Sequence, residues 1–148
     1  MNEMTVNTTG AVKYEQEIPG VLKAMQEVHK ELLACGLDAT IAHLVHVRAS
    51  QINGCAHCIK MHLKEARQHG ESNDRLDRVI VWRHVHDFTD RERAALEWTE
   101  AMTILDQKAD LASLRARLRE HFSEKEIAAL IVEVAMINMW NRIAISRH

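Results

Sequence analysis

Arg48-Ala49-Ser50-Gln51-Ile52-Asn53-Gly54-Cys55-Ala56-His57-Cys58-Ile59-Lys60-Met61-His62 contains the end of one helix, the start of another and two of the chain's three cysteines. Asn53 and Gly54 both tolerate the left-handed conformation that closes a helix, so the next helix begins at about Cys55. Cys55 then sits at an N-cap and Cys58 in the first turn. Unpaired backbone N–H groups and the helix dipole favour negative charge there. A thiolate is such a charge, and the thiolate is the nucleophilic form of cysteine. A free thiol of pKa about 8.5 is only about 3% ionised at neutral pH; a shift to about 6.5 requires roughly 2.7 kcal/mol. A helix N-terminus supplies about 0.3–1 kcal/mol when exposed and up to about 2 when partly buried. A further group is needed. His62, one turn after Cys58 on the same face, can take the thiol proton directly or through a water and hold the ion pair. His57 points to another side of the helix, from where it can contribute electrostatically or protonate a leaving group. The Cys-x-x-Cys spacing is that of dithiol redox sites: one sulfur attacks an oxidised substrate and the other closes a disulfide and releases the product.

Outward from this segment the pattern stays helical. Pro19 can open a helix in which Val21, Leu22, Met25, Val28, Leu32 and Leu33 recur at helical spacing, with Gly36 as its stop. Asp38 can cap the next helix, which buries Ile41, Leu44, Val45 and Ala49 or Ile52. The helix from Cys55 runs through Ile59, Met61, Leu63 and Ala66 to Gly70, and Asn73 or Asp74 starts a short segment through Leu76, Val79, Ile80 and Trp82. Thr89 with Glu92 forms a capping box opening a helix that carries Ala94, Ala95, Leu96, Trp98, Met102 and Leu105. Leu111–Leu118 reads as a short helix. Ser123 with Glu126 is a second capping box, with Phe122 able to staple onto Ile127. The last helix is apolar nearly all round, so it is expected to be covered by its own chain and by a partner subunit. Trp140 and Asn141 should pack against neighbouring helices, the amide satisfying buried backbone groups. The expectation is an all-α domain of six to seven helices over residues 13–148, after a flexible polar tail at residues 1–12.

Composition agrees. One proline and five glycines leave few breakers in 148 residues that are 47% hydrophobic and 27% charged. Nineteen basic and twenty-one acidic residues give a net charge of −2, a poor electrostatic footprint for nucleic acid. Arg115, Arg117 and Arg119 alternate with other residues as a solvated helix face. No secretory signal pattern is visible, and the longest apolar stretch, Ile127–Ile145, is interrupted by Glu133, Asn138, Asn141 and Arg142, so no membrane partner is expected. Three cysteines without an export signal point to a cytoplasmic setting in which closely spaced thiols are catalytic or metal-binding.

Ser50-Gln51-Ile52-Asn53-Gly54-Cys55-Ala56-His57-Cys58-Ile59-Lys60-Met61-His62 resembles the core signature of the alkylhydroperoxidase (AhpD-like) and carboxymuconolactone decarboxylase-like family. The resemblance continues through Trp82-Arg83, Phe88-Thr89, Arg91–Leu96 and Ile137–Arg142, over roughly residues 20 to 145. It implies an all-helical homo-oligomer, a trimer or hexamer, that reduces hydroperoxides with electrons from a thiol reductant and needs no cofactor. By the family pattern Cys58 attacks the peroxide and Cys55 resolves the sulfenic acid. His62 belongs to the proton relay, and His57 lies at the site. This chain departs from the pattern at His43, which stands where the family relay has a glutamate. A histidine there can pass a proton, but it lacks the fixed negative charge that would raise the basicity of His62.

Other readings compete. Cys55, His57, Cys58 and His62 are all potential zinc ligands, yet structural zinc usually draws its ligands from two separated segments, so no metal is assigned to them. A non-redox decarboxylase on the same scaffold is disfavoured by the cysteine pair. An oxidant sensor would oxidise once and stop. Cys35, at the end of an apolar stripe, reads as core. His84 and His86 read as solvated loop residues, and Met102, Met136 and Met139 as packing.

Overall fold

The computed structural model describes residues 7–148, and residues 1–6 of the expected tail lie outside the described residues. Residues 7–12 are exposed and non-helical. Eight α-helices follow: α1 (Tyr14–Glu17), α2 (Pro19–Ala34), α3 (Ala39–Asn53), α4 (Ala56–Gln68), α5 (Asn73–Arg78), α6 (Asp90–Ile104), α7 (Leu111–Arg119) and α8 (Glu124–Ile145), with a 3-10 turn at Val79–His84 between α5 and α6. The two additions to the expected set are α1, a single turn, and the break at Val81 that divides the segment after Asn73.

Most ends form for the reasons legible in the sequence. Pro19 occupies the first turn of α2, where a missing N–H costs nothing. Asp38 accepts from Thr40 N, and both capping boxes are closed reciprocally, Thr89 with Glu92 and Ser123 with Glu126. The cap of α5 is Ser72, one residue before the expected start. Helix α6 stops at Ile104 because Leu105 adopts φ +55°, the left-handed conformation, and points into solvent rather than extending the apolar stripe.

Helix α3 is the centre of the molecule, packed against α4, α6 and α8. Its Ile41, Val45 and Ala49 join Trp98, Leu118, Phe122, Ile127, Leu130, Val134 and Ile137 in the main core, which brings the stapling pair Phe122 and Ile127 into one cluster. Its Leu44 and Val47 face the opposite way, onto Val79, Trp82, Phe88 and Leu96. With both flanks committed to cores, a third stripe carrying His43 and His46 faces α4 and the end of α8.

Helix α2 departs from expectation. Of its apolar stripe only Leu32 is buried, while Val21 and Val28 are exposed and Leu33 is 83% exposed. Among the described residues no second layer lies outside α2, so one row of the helix docks on α8 and the rest faces outward. Cys35 packs half-buried beside Leu32, Ala129 and Met136. Helix α8 is long and apolar enough to cross a membrane by length and composition alone. Its polar residues instead bond to neighbouring helices: Glu133 to His46, and Asn138 and Asn141 to Asn53. Asn141, fully buried, also donates to Ser50 Oγ at 3.0 Å, so its amide serves side chains rather than the backbone groups anticipated.

Candidate active site

The junction between α3 and α4 is held from behind. Asn53 Nδ2 donates to the side-chain oxygens of Asn138 and Asn141, each at 2.9 Å, which pins the last turn of α3 against α8. Gly54 then turns the chain at φ +67°, a conformation that a Cβ would disfavour. Cys55 follows as the N-cap of α4, its sulfur accepting from Cys58 N at 3.3 Å, as the Asn-Gly reading anticipates.

Cys55 and Cys58 are joined by a disulfide, with Cα atoms 5.3 Å apart. Both are buried, at 0% and 2% exposure, but they are not equivalent. Cys58 lines a cavity of about 510 Å³ enclosed by α2, α3, α4 and α8, and Cys55 lies outside its wall. Leu32, Leu37, Met61, Ile137 and Trp140 supply much of the apolar lining, while His43, His46, His62, Glu65 and Glu133 bring polar groups into it. His57 also lines the cavity, from an exposed position. His43, His57 and His62, the histidines assigned to the site from the sequence, therefore line one pocket with Cys58.

Two functional groups escape a reading of the sequence. His46, one turn beyond His43, lies with its ring centroid 4.6 Å from that of His62. Its Nε2 bonds to Glu133 Oε1, a buried carboxylate from α8. Burial alone would raise the Glu133 pKa, but the hydrogen bond and charge of His46 outweigh it and hold the group below its ordinary value. Glu133 is thus the acceptor and His46 Nε2 the donor. The fixed negative charge missing at His43 enters from another helix. Glu133 reaches His46 because α8, whose Glu133 is eighty-seven residues away from His46 in sequence, packs across α3.

A second carboxylate steers His62. Glu65 Oε2 lies 2.8 Å from His62 Nδ1, so the proton resides on Nδ1 and the lone pair is left on Nε2. Burial first, then the neighbouring His46, lowers the His62 pKa to about 4, even though Glu65 pulls the other way. With the disulfide closed, His62 is neutral at physiological pH, with its Nε2 unprotonated. His43 is lowered for like reasons, burial first and then His46 and His69, whose ring centroid is 4.7 Å away. A buried Glu in an otherwise apolar helix was the available signal for Glu133, since such carboxylates are almost never buried unpaired. For His46 the signal was its position one turn from His43 on the same helix.

The sequence and fold match known proteins. The carboxymuconolactone decarboxylase family profile matches residues 19–101, and the chain belongs to this family. Similar proteins are the uncharacterized protein YdfG of Bacillus subtilis, 35% identical over 91% of this chain and 92% of that protein, and the uncharacterized protein YnjA of Escherichia coli, 32% identical over 70% and 56% respectively. A crystal structure of an Agrobacterium tumefaciens protein of unknown function, provisionally assigned as the antioxidant defence protein AhpD, superposes with a TM-score of 0.86 at 37% identity, covering 93% of this chain and 94% of that one. An uncharacterized peroxidase-related protein from Silicibacter shares the fold, with a TM-score of 0.68 at 23% identity over 90% and 78%. The AhpD-like helical architecture read from the sequence is therefore the architecture of the chain.

Proposed function

We propose that this protein is a thiol-dependent peroxidase that reduces organic hydroperoxides through a Cys55–Cys58 dithiol/disulfide cycle. The observation that carries the reading is the inequality of the two sulfurs: Cys58 faces the pocket beside His62, and its disulfide partner Cys55 does not. In the reduced protein the Cys58 thiolate attacks the distal peroxide oxygen; the S–O bond forms, the O–O bond breaks, and the alkoxide takes a proton to leave as alcohol. Cys55 then attacks the Cys58 sulfenic acid, forming the disulfide and releasing water. An external dithiol restores both thiols by exchange, so two electrons enter per peroxide consumed.

Neutral His62, with its Nδ1 proton held by Glu65, is the base for the Cys58 thiol. Glu65, bonded to Nδ1, stabilises the resulting imidazolium, while His46, its Nε2 proton held by Glu133, packs beside the ring. His43 and His57 complete the polar wall as secondary proton carriers. The apolar lining from Leu32, Leu37, Met61, Ile137 and Trp140 favours an alkyl-bearing peroxide over hydrogen peroxide. The exposed apolar residues of α2 and α8 support assembly into a trimer or hexamer, and the thiol cycle suits a reducing cytoplasm.

The test is steady-state consumption of cumene hydroperoxide with dithiothreitol as reductant. Multiple turnovers are expected, absent in Cys58→Ser, with Cys55→Ser accumulating a sulfenic acid or mixed disulfide. A single equivalent of oxidation followed by silence would instead indicate a sensor. Equal, mild losses in both variants would refute the assignment of roles.

A further inference from the structure

We propose that His43, His46 and Glu65 form a binding site for a divalent transition-metal ion of the zinc class in the wall of the pocket. One donor atom from each of these residues lies within 4.8 Å of those from the other two. Tetrahedral coordination at bond lengths of about 2.0–2.1 Å separates donors by roughly 3.3 Å, so closure by side-chain rotation of at most about 1.5 Å assembles the set. Two imidazoles and a carboxylate are the ligand types of open zinc sites, which leave a fourth position for water.

The hydrogen bonding independently points to a missing partner. His43 Nδ1 and His46 Nδ1 are both buried and have no hydrogen-bond partner. Such atoms are costly unless something fills the gap. The bond from His46 Nε2 to Glu133 fixes the His46 proton on Nε2 and leaves a lone pair at the unpartnered Nδ1. A histidine that donates one ring N–H to a carboxylate while presenting the other nitrogen is the usual outer-sphere arrangement of a ligating histidine. Glu65 spends Oε2 on His62 and retains Oε1. Neither the path through Glu133, His46 and His62 nor a secondary proton role for His43 supplies a partner to the two orphaned nitrogens; a metal ion held between these rings would.

The inference goes beyond the peroxidase reading and does not rest on it. It concerns residues other than the cysteine-centred zinc set considered from sequence, and it holds with the disulfide closed. The experiment is therefore made on oxidised protein and on the Cys55→Ser/Cys58→Ser variant, neither of which offers a thiolate. Zn2+ is titrated calorimetrically, and Co2+ is followed by its visible ligand-field absorption. One equivalent per chain is expected in both proteins. His43→Ala and His46→Ala should each remove the Co2+ bands, and Glu133→Gln should weaken binding about 10- to 100-fold. Circular dichroism confirms that each variant is helical, and His43→Gln provides a milder change should alanine unfold the chain. Absence of saturable binding in oxidised protein would overturn the proposal. So would binding that survives both histidine substitutions, or binding confined to reduced protein with its thiols intact. Peroxide turnover is read in a separate assay, so either proposal can fail alone.

Discussion

Two buried polar regions flank α3, and they differ in whether their groups are satisfied. On the side away from the pocket, Glu100 receives hydrogen bonds from Arg48 Nε at 2.9 Å, Trp82 Nε1 at 2.8 Å and Arg83 Nη2 at 2.9 Å. Nearby, Arg75 joins Glu71, Glu92 and the Asp87 carbonyl. Every charge there has a partner, and the groups tie α3, α5, the 3-10 turn and α6 together. In the pocket, His43 and His46 leave ring nitrogens unpaired, and the pKa values of His43 and His62 are displaced downward. Fully paired charges hold a fold in one arrangement. Incompletely paired ones keep capacity for protons or ligands, at a cost in stability.

Substitutions can break this contrast. The largest effect is expected from Cys58→Ser, which should reduce peroxide turnover to the uncatalysed background while leaving the thermal midpoint of the reduced protein close to that of the wild type. Next, His62→Ala should lower the rate of Cys58 alkylation and of peroxide reduction by roughly 10²–10⁴-fold, the usual range for removal of a general base. Glu100→Ala should act in the opposite sense, destabilising the protein by about 3 kcal/mol by leaving Arg48 and Trp82 unpaired. Its thermal midpoint should fall by roughly 6–12 °C, with turnover per folded molecule nearly unchanged. A large loss of turnover per folded molecule in Glu100→Ala would erase the distinction between the two regions.

Acid should separate them too. The folded-state pKa of His62, about 4, lies below the ordinary histidine value of 6.5. The unfolded chain therefore binds the extra proton first, and this contribution is present above about pH 6.5 and lost as pH falls through about 4. At about 1.36 kcal/mol per unit it amounts to roughly 3 kcal/mol across the window. Burial would raise the Glu100 pKa, but hydrogen bonds from Trp82, Arg48 and Arg83 hold it below 4.5, so its contribution fades only under more acidic conditions. Urea midpoints of the oxidised protein between pH 7 and 4.5 should fall steeply in the wild type and less so in His62→Gln. Identical slopes would show that the histidine is not neutral in the folded state. The smallest effect is expected from His57→Ala: exposed at the pocket wall, it should cost turnover only a few-fold, within about 1 kcal/mol.

The legibility of the sequence followed the range of the interactions. Helix ends depend on residues within one turn, so Pro19, Asp38, Gly54 and the boxes at Thr89 and Ser123 were readable where they stand. Leu105 was not, because nothing in its type signals a left-handed residue. Cys55, Cys58 and His62 share one short helix, so their grouping was local as well. Periodicity also marked an apolar stripe on α2, but it carried no information about whether another layer would cover that stripe.

The sequence alone determined the helical class, the α3–α4 junction and the placing of two sulfurs and an imidazole in successive turns, since each is set by backbone preference and helical repeat. Tertiary structure alone decided which sulfur meets the pocket, that Glu133 crosses from α8 to His46, and that two imidazole nitrogens are left without partners. These depend on how one helix lies across another, and the free energy of that packing is spread over residues far apart in the chain.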